Sequence, residues 1–123
     1  MGLDMYAHKV VRKETNKDVG QKVDHRSDWY WRKFNHLHGW MHRLYTAKGG
    51  TDPDFNCVSV RVSLEDLNQL EKDALTDNLP AESGFFFGSP DYYPEDHESL
   101  FRFIKEAREA IDDGYDIYYS AWY

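Results

Sequence analysis

Residues 28–48 read DWYWRKFNHLHGWMHRLYTAK and hold the clearest periodic pattern in the chain. Apolar side chains recur there at spacings of three and four residues, the period of one buried helix face; they are Tyr30, Phe34, Leu37, Met41 and Leu44. Ser27 or Asp28 can cap the first amide groups of such a helix, and Gly49 with Gly50 can end it. The pattern therefore predicts one continuous α-helix from residue 28 to residue 48.

Three other segments carry strand patterns. They are rich in apolar residues or alternate between apolar and polar ones, as half-buried strands do; they are residues 2–12, 57–62 and 115–122. Residues 84–88, GFFFG, predict a short buried strand or an aromatic loop. The polar residues 13–27 predict a loop or a loose hairpin, and residues 51–56 predict a turn.

Two further helices are predicted between these strands. Ser63 and Asp66 have the spacing of a capping box, and the helix that they begin ends before Pro80. Pro94 suits the first turn of another helix, which ends before Gly114. This order predicts an α+β fold, with a small mixed or antiparallel sheet of about four strands and about three helices mainly on one face. The 123 residues predict a single domain, 1–123.

The composition indicates a folded, acidic protein. Apolar residues make up 41% of the chain and aromatic residues 16%, more than disordered chains carry. The formal net charge of −7 repels phosphates, so we expect no direct nucleic acid partner. Cys57 is the only cysteine, which excludes an internal disulfide. No apolar run has the length of a signal peptide or a bilayer span, so we expect a cytoplasmic protein with no membrane partner.

A polar stripe on the predicted first helix is the main candidate site. At about 100° per residue, its five side chains fall within about 80° of arc; they are Trp31, Asn35, His38, His42 and Tyr45. The stripe lies about 100° round from the apolar face, where a helix flank borders a groove. Amide, imidazole and amphipathic aromatic groups at a groove can hold a small polar, nucleotide-like ligand.

Three interpretations of the two imidazoles stay open. Histidines four residues apart on a helix can share a zinc ion, but Gly39 follows His38 where the zinc-protease motif has Glu. His38 and His42 can instead act as acid and base on a phosphoester, although no nucleophile motif accompanies them. The third interpretation is structural packing or ligand binding. It leads, so we predict no catalytic residue, no metal and no cofactor.

Alternation along the first and last strands predicts which side chains share a face. On the first strand, Asp4 shares one face with Tyr6 and His8. On the last strand, Tyr118, Ser120 and Trp122 share one face. Asp4 is either an exposed strand residue or a carboxylate that orients an imidazole of the helix. We include it among the candidate ligand-binding residues.

The aromatic segment 84–89, GFFFGS, supplies two more candidates, Phe86 and Ser89. It lacks the Lys that follows the second glycine of a P-loop, so it is not a phosphate-binding loop of that kind. Consecutive Phe residues are typical of a core. Flanking glycines also allow close backbone approach, so the segment can form the lip of a pocket.

Several motifs together resemble a family of small phage and prophage proteins. They occur in the same order from end to end of the chain: MGLDMY at 1–6, WRKFNHLHGW at 31–40, GFFFGS at 84–89 and YSAW at 119–122. The loop at 13–27 is shorter than is usual in that family.

The resemblance implies a phage accessory protein in the host cytoplasm. We expect it to inhibit a host defence by holding a small polar molecule or a host protein, a step made by analogy. Two alternatives are a His-based or metal-dependent phosphoester hydrolase, and an acidic decoy that blocks a nucleic-acid-binding enzyme.

Overall fold

The computed structural model describes residues 3–23, 27–55, 57–76 and 94–122, with the backbone alone for 94–96. Within these residues the chain forms strands and helices in the order β1 (Asp4–Val11), β2 (Trp29–Arg32), α1 (Asn35–Ala47), β3 (Val60–Val62), α2 (Leu64–Leu75), α3 (Pro94–Asp112) and β4 (Tyr115–Trp122). The strands form one sheet in the order β2-β1-β4-β3, and each neighbouring pair is antiparallel. The predicted α+β fold, a mixed or antiparallel sheet of about four strands with about three helices, is confirmed: the described residues form three helices and a four-stranded antiparallel sheet.

The continuous helix predicted over residues 28–48 is wrong in its first part. Residues Trp29–Arg32 form β2, which pairs with β1, and α1 begins only at Asn35. The cap predicted at Ser27 or Asp28 is wrong as well, because Phe34 takes the N-cap position without a side-chain hydrogen bond. The consecutive aromatic residues of this segment suit a strand at least as well as a helix.

Two helix ends, the start of α2 and the end of α1, match the sequence pattern. Ser63 and Asp66 form the predicted capping box: the Asp66 amide donates to Ser63 Oγ at 3.2 Å, and the Ser63 amide donates to Asp66 Oδ2 at 2.9 Å. Helix α1 ends at Ala47, followed by Gly49 at a positive φ of 99°, a left-handed conformation that favours glycine. The aromatic segment predicted at 84–88 lies outside the described residues.

The two faces of the sheet differ. One face of the sheet packs against the three helices and forms a single core with them. The two central strands, β1 and β4, contribute Met5, Ala7, Ile117, Tyr119 and Ala121 to this core. The residues between them point to the opposite face, which we call the open face; from β1 and β4 it carries Asp4, Tyr6, His8, Tyr118, Ser120 and Trp122. The antiparallel register sets Tyr6 opposite Ser120 and His8 opposite Tyr118.

The segment 12–23 covers one end of the open face. The Tyr118 hydroxyl donates to the Lys17 carbonyl at 2.6 Å, which buries the Tyr118 ring beneath this segment. The Gly20 amide donates to the Ser59 carbonyl at 2.8 Å and fixes the far end of the segment beside β3. The other end of the open face stays accessible to solvent, since Trp122 is 63% exposed there. No helix in the described parts of the chain has the length and hydropathy needed to cross a membrane.

Candidate functional site

The structure divides the predicted polar stripe. Trp31 lies in β2, whereas the other four residues lie on α1. Four of the five side chains are buried in the core, with relative exposure of 5% or less; they are Trp31, Asn35, His38 and Tyr45. His42 is half-buried. Buried side chains of the core therefore occupy the place beside α1 where a groove was expected.

A side chain of the protein itself packs against this stripe. The Phe55 ring stacks on His38, His42 and Tyr45, with ring centroids 5.4, 5.3 and 4.6 Å away. Phe55 is fully buried, and the Asp52 amide donates to the Tyr45 hydroxyl at 3.0 Å, which holds the segment that carries the ring. The amphipathic helix flank recognised in the sequence thus anchors a loop of the same chain.

Burial determines the protonation of His38. Its Nδ1 lies 2.8 Å from the Tyr119 hydroxyl, and it is completely buried. Burial, followed by the charge of His42, lowers the pKa of His38 to about 3. A neutral imidazole is a weak proton donor, so His38 is poorly suited to act as a general acid at pH 7. Among the described residues, no group of three or more His, Cys, Asp or Glu is placed to hold a metal ion.

Two buried polar groups in this region have no hydrogen-bond partner within the described part of the chain. They are the side-chain amide of Asn35, which is 1% exposed, and the indole Nε1 of Trp31. Each such group costs roughly 1–3 kcal/mol when it is left unsatisfied. A ligand role for these residues stays a prediction.

The remaining predicted residues are placed differently. Asp4 lies on the open face and accepts a 2.7 Å hydrogen bond from the Tyr30 hydroxyl. Its second contact is with Arg32, at 3.9 Å. Of the two interpretations of Asp4, this placement favours a strand residue on the open face, because β2 sets a tyrosine and an arginine beside it. Phe86 and Ser89 lie outside the described residues.

The open face carries a cavity of about 630 Å³, within the range of about 300–1,000 Å³ typical of ligand sites. We call it the open-face cavity. Its lining comes from β1, the segment 12–23, the residues before β3, and β4: Tyr6, His8, Gly20, Gln21, Lys22, Val23, Cys57, Val58, Ser59, Ser120 and Trp122. The strand pairing thus brings side chains from both ends of the sequence to one place.

Two buried polar side chains form the floor of the open-face cavity. His8 Nε2 lies 3.3 Å from Ser120 Oγ, across the β1–β4 pair. The two side chains are buried, yet both belong to the cavity lining. Ser59 is also buried in the lining, but its hydroxyl donates to the Gln21 carbonyl at 2.6 Å. Imidazole and hydroxyl groups held this way can donate to, or accept from, a polar ligand.

The rim combines aromatic surface with a cation. Trp122 is largely exposed, and Tyr6 is half-buried beside the cavity. Lys22 supplies a positive charge, and no carboxylate occurs among the described lining residues, although the chain contains 22 Asp and Glu. Burial, then the charge of Asp52, raises the pKa of the Cys57 thiol, so it is not activated as a nucleophile.

The sequence contained part of the signal for this cavity. Alternation correctly placed Tyr6 with His8, and Ser120 with Trp122, on shared faces. What it lacked was the register that joins β1 to β4, two strands separated by more than 100 residues. Period-2 patterns identify the faces of a strand but not its partner.

Comparisons with protein-family models, with curated proteins and with solved structures found no match. The molecule is a four-stranded antiparallel sheet with helices packed on one face and a ligand-sized cavity on its open face.

Proposed function

We propose that this protein binds a small, planar, anionic molecule of the nucleotide class in the open-face cavity. The observation that supports this most is the His8–Ser120 pair at 3.3 Å, buried but facing a cavity large enough for a ligand. Polar groups at the floor fix the orientation of a ligand, and apolar walls supply most of its affinity. This is the same ligand class that the sequence predicted, at a different place on the fold.

The rim supports the planar, anionic character of the ligand. Base rings stack on exposed aromatic side chains such as Trp122, which contributes about 1–3 kcal/mol per base. Lys22 attracts phosphate locally, because no carboxylate stands beside it among the described residues of the lining. The net charge of the whole chain, −7, has the opposite effect. A neutral, aliphatic ligand would use neither feature.

The test is a titration of the protein with AMP, GMP, CMP and UMP, followed by calorimetry and by thermal unfolding. At least one should bind and raise the melting temperature, since a ligand that binds only the folded state stabilises it. Trp122→Ala should weaken that binding about tenfold or more. Leu75→Ala, at a 69% exposed position on α2 outside the cavity, is the matched control. No binding by any of the four would refute the proposal.

The His8–Ser120 geometry also favours a second candidate, a phosphoester hydrolase. Ser120 Oγ would bond to phosphorus while His8 Nε2 takes the hydroxyl proton, and the leaving alcohol would depart with that proton. Water would then release the phosphate from Ser120. Lys22 is the only cation in the described lining, which is little charge for phosphoryl transfer, so binding stays the leading function.

Turnover of bis-p-nitrophenyl phosphate separates this candidate from binding alone. Hydrolysis should disappear in Ser120→Ala and persist in Ser59→Ala, because Ser59 lines the same cavity but its hydroxyl donates to a backbone carbonyl. Unchanged turnover in Ser120→Ala, or none in the parent protein, would remove the hydrolase candidate.

The resemblance to phage proteins supports a role against the host, in which the protein holds a host signalling nucleotide or a host protein in the host cytoplasm. A host strain that expresses the chain should then become more permissive to phage infection, as counted in plaques. Trp122→Ala should lose this effect together with ligand binding.

A further inference from the structure

A third aromatic ring lies next to the open-face cavity without lining it. Tyr30, on β2, is 52% exposed, and its ring centroid is 5.4 Å from that of Tyr6 at an interplanar angle of 49°. Its hydroxyl donates to Asp4 Oδ1 at 2.7 Å, so the ring is fixed on the open face. This side chain therefore presents a large apolar surface to solvent in a fixed position.

The strand register puts the three exposed or half-exposed rings in adjacent rows. Tyr30, Tyr6 and Ser120 are opposite one another on β2, β1 and β4, and the next row holds Arg32, Asp4 and Trp122. Neighbouring strands are about 4.8 Å apart, so Tyr30 stands about 10 Å from the strand that carries Trp122. That spacing leaves room for two separate planar groups on the open face.

The energetics of stacking explain what such an arrangement can bind. Aromatic side chains exposed on neighbouring strands of an open sheet stack successive bases of a single strand. From Tyr30 and its neighbours we infer that the ligand is a dinucleotide, one base over Trp122 and Tyr6 and the second over Tyr30. This inference depends on the function proposed above and narrows its ligand class.

The charges around the rings set the length of the ligand. Arg32, with a 65% exposed side chain, lies at the β2 edge, and Lys22 lies in the cavity, so each end of the aromatic surface has a cation. Asp4 lies between the two ends and repels phosphate while it contacts Tyr30 and Arg32. The net charge of −7 would repel a longer polyanion more strongly. A longer ligand would also meet no further aromatic partner among the described residues.

The test compares AMP with the 5′-phosphorylated dinucleotide pApA by calorimetry. The dinucleotide should bind at least about tenfold more tightly than AMP, from one additional stacked base. Tyr30→Ala should remove this advantage, so that pApA binds no more tightly than AMP to the variant. Tyr30→Phe keeps the ring without the hydroxyl and should preserve the advantage. Because Tyr30 is exposed, both variants should fold, which thermal unfolding can check.

The outcomes separate the two proposals. If AMP binds and pApA binds no more tightly, the dinucleotide inference is refuted while the binding function stands. If Tyr30→Phe loses as much as Tyr30→Ala, the Asp4 hydrogen bond rather than ring stacking is responsible, and the inference is refuted. If neither AMP nor pApA binds, the dinucleotide inference is refuted, and the binding function falls with it only if GMP, CMP and UMP also fail to bind.

Discussion

At the residue scale, Gly50 is a position where the packing leaves no room for a side chain. A Cβ at Gly50 would lie 2.3 Å from the Tyr45 ring, far inside van der Waals contact. The Tyr45 ring has little freedom to move, because it is buried and stacks on Phe55 with centroids 4.6 Å apart. Any side chain at position 50 therefore strains the return of the loop over α1.

We predict that Gly50→Ala lowers the free energy of unfolding by about 1–3 kcal/mol, the usual cost of overpacking. Urea denaturation followed by circular dichroism measures this change. In a Tyr45→Ala background the same substitution should cost much less, because the ring that it meets is gone. Equal costs in the two backgrounds would show that backbone conformation, and not this contact, makes glycine necessary.

At the element scale, the segment 12–23 is held to the sheet by charged and polar side chains that meet at Asp116. Asn16 Nδ2 donates to Asp116 Oδ2 at 2.8 Å, Arg12 Nε donates to Oδ1 at 3.2 Å, and Arg61 Nη1 lies 3.3 Å from Oδ2. Burial by itself would raise the pKa of Asp116, but the hydrogen bonds from Asn16 and Arg12 and the charges of Arg61 and Arg12 lower it overall.

A carboxylate with a lowered pKa in the folded state stabilises the protein above its unfolded pKa of about 3.9. That stability is lost as the pH falls through the folded value. Asp116→Asn should therefore lower the free energy of unfolding by about 1–3 kcal/mol at pH 7. Stability should also depend less on pH in the acid range, measured by urea denaturation from about pH 7 to about pH 2.5. Asp113→Asn, at an exposed position after α3, is the control and should change neither.

The elements also show what the sequence can and cannot predict. The capping box at Ser63 and Asp66 is a local contact between residues three apart, so the pattern alone identified the start of α2. The aromatic segment Trp29–Arg32 is different, because its residues fit either a helix or a strand. Its strand conformation is decided by the free edge of β1, which accepts it through pairs such as Met5 with Trp31.

The candidate site was predictable to the same limited degree. His38 and His42 were recognised as one side of a helix, and they do lie near each other, with ring centroids 6.4 Å apart. Phe55 decides whether this side of the helix faces solvent or packs against the protein. The local sequence pattern does not indicate that Phe55 packs there. The open-face cavity depends in the same way on pairing between the two ends of the chain.

At the scale of the whole molecule, two electrostatic fields of opposite sign act on an anionic ligand. The net charge of −7 repels it at long range, whereas Lys22 attracts it inside the cavity. Salt screens exposed charges beyond a Debye length of about 10 Å at 0.1 M, so it reduces the long-range repulsion before the short-range attraction. The salt dependence of binding therefore reports which field dominates.

We predict that the affinity for AMP stays level or rises slightly as NaCl increases from about 50 mM to about 500 mM. Lys22→Gln should weaken AMP binding several-fold at each salt concentration, because it removes the attraction at short range. An acidic decoy that docks on a basic enzyme would behave oppositely, with binding that falls steeply over the same range. A steep fall in AMP affinity would mean that several cations, and not Lys22 alone, hold the phosphate. AMP would then bind at a site other than the open-face cavity.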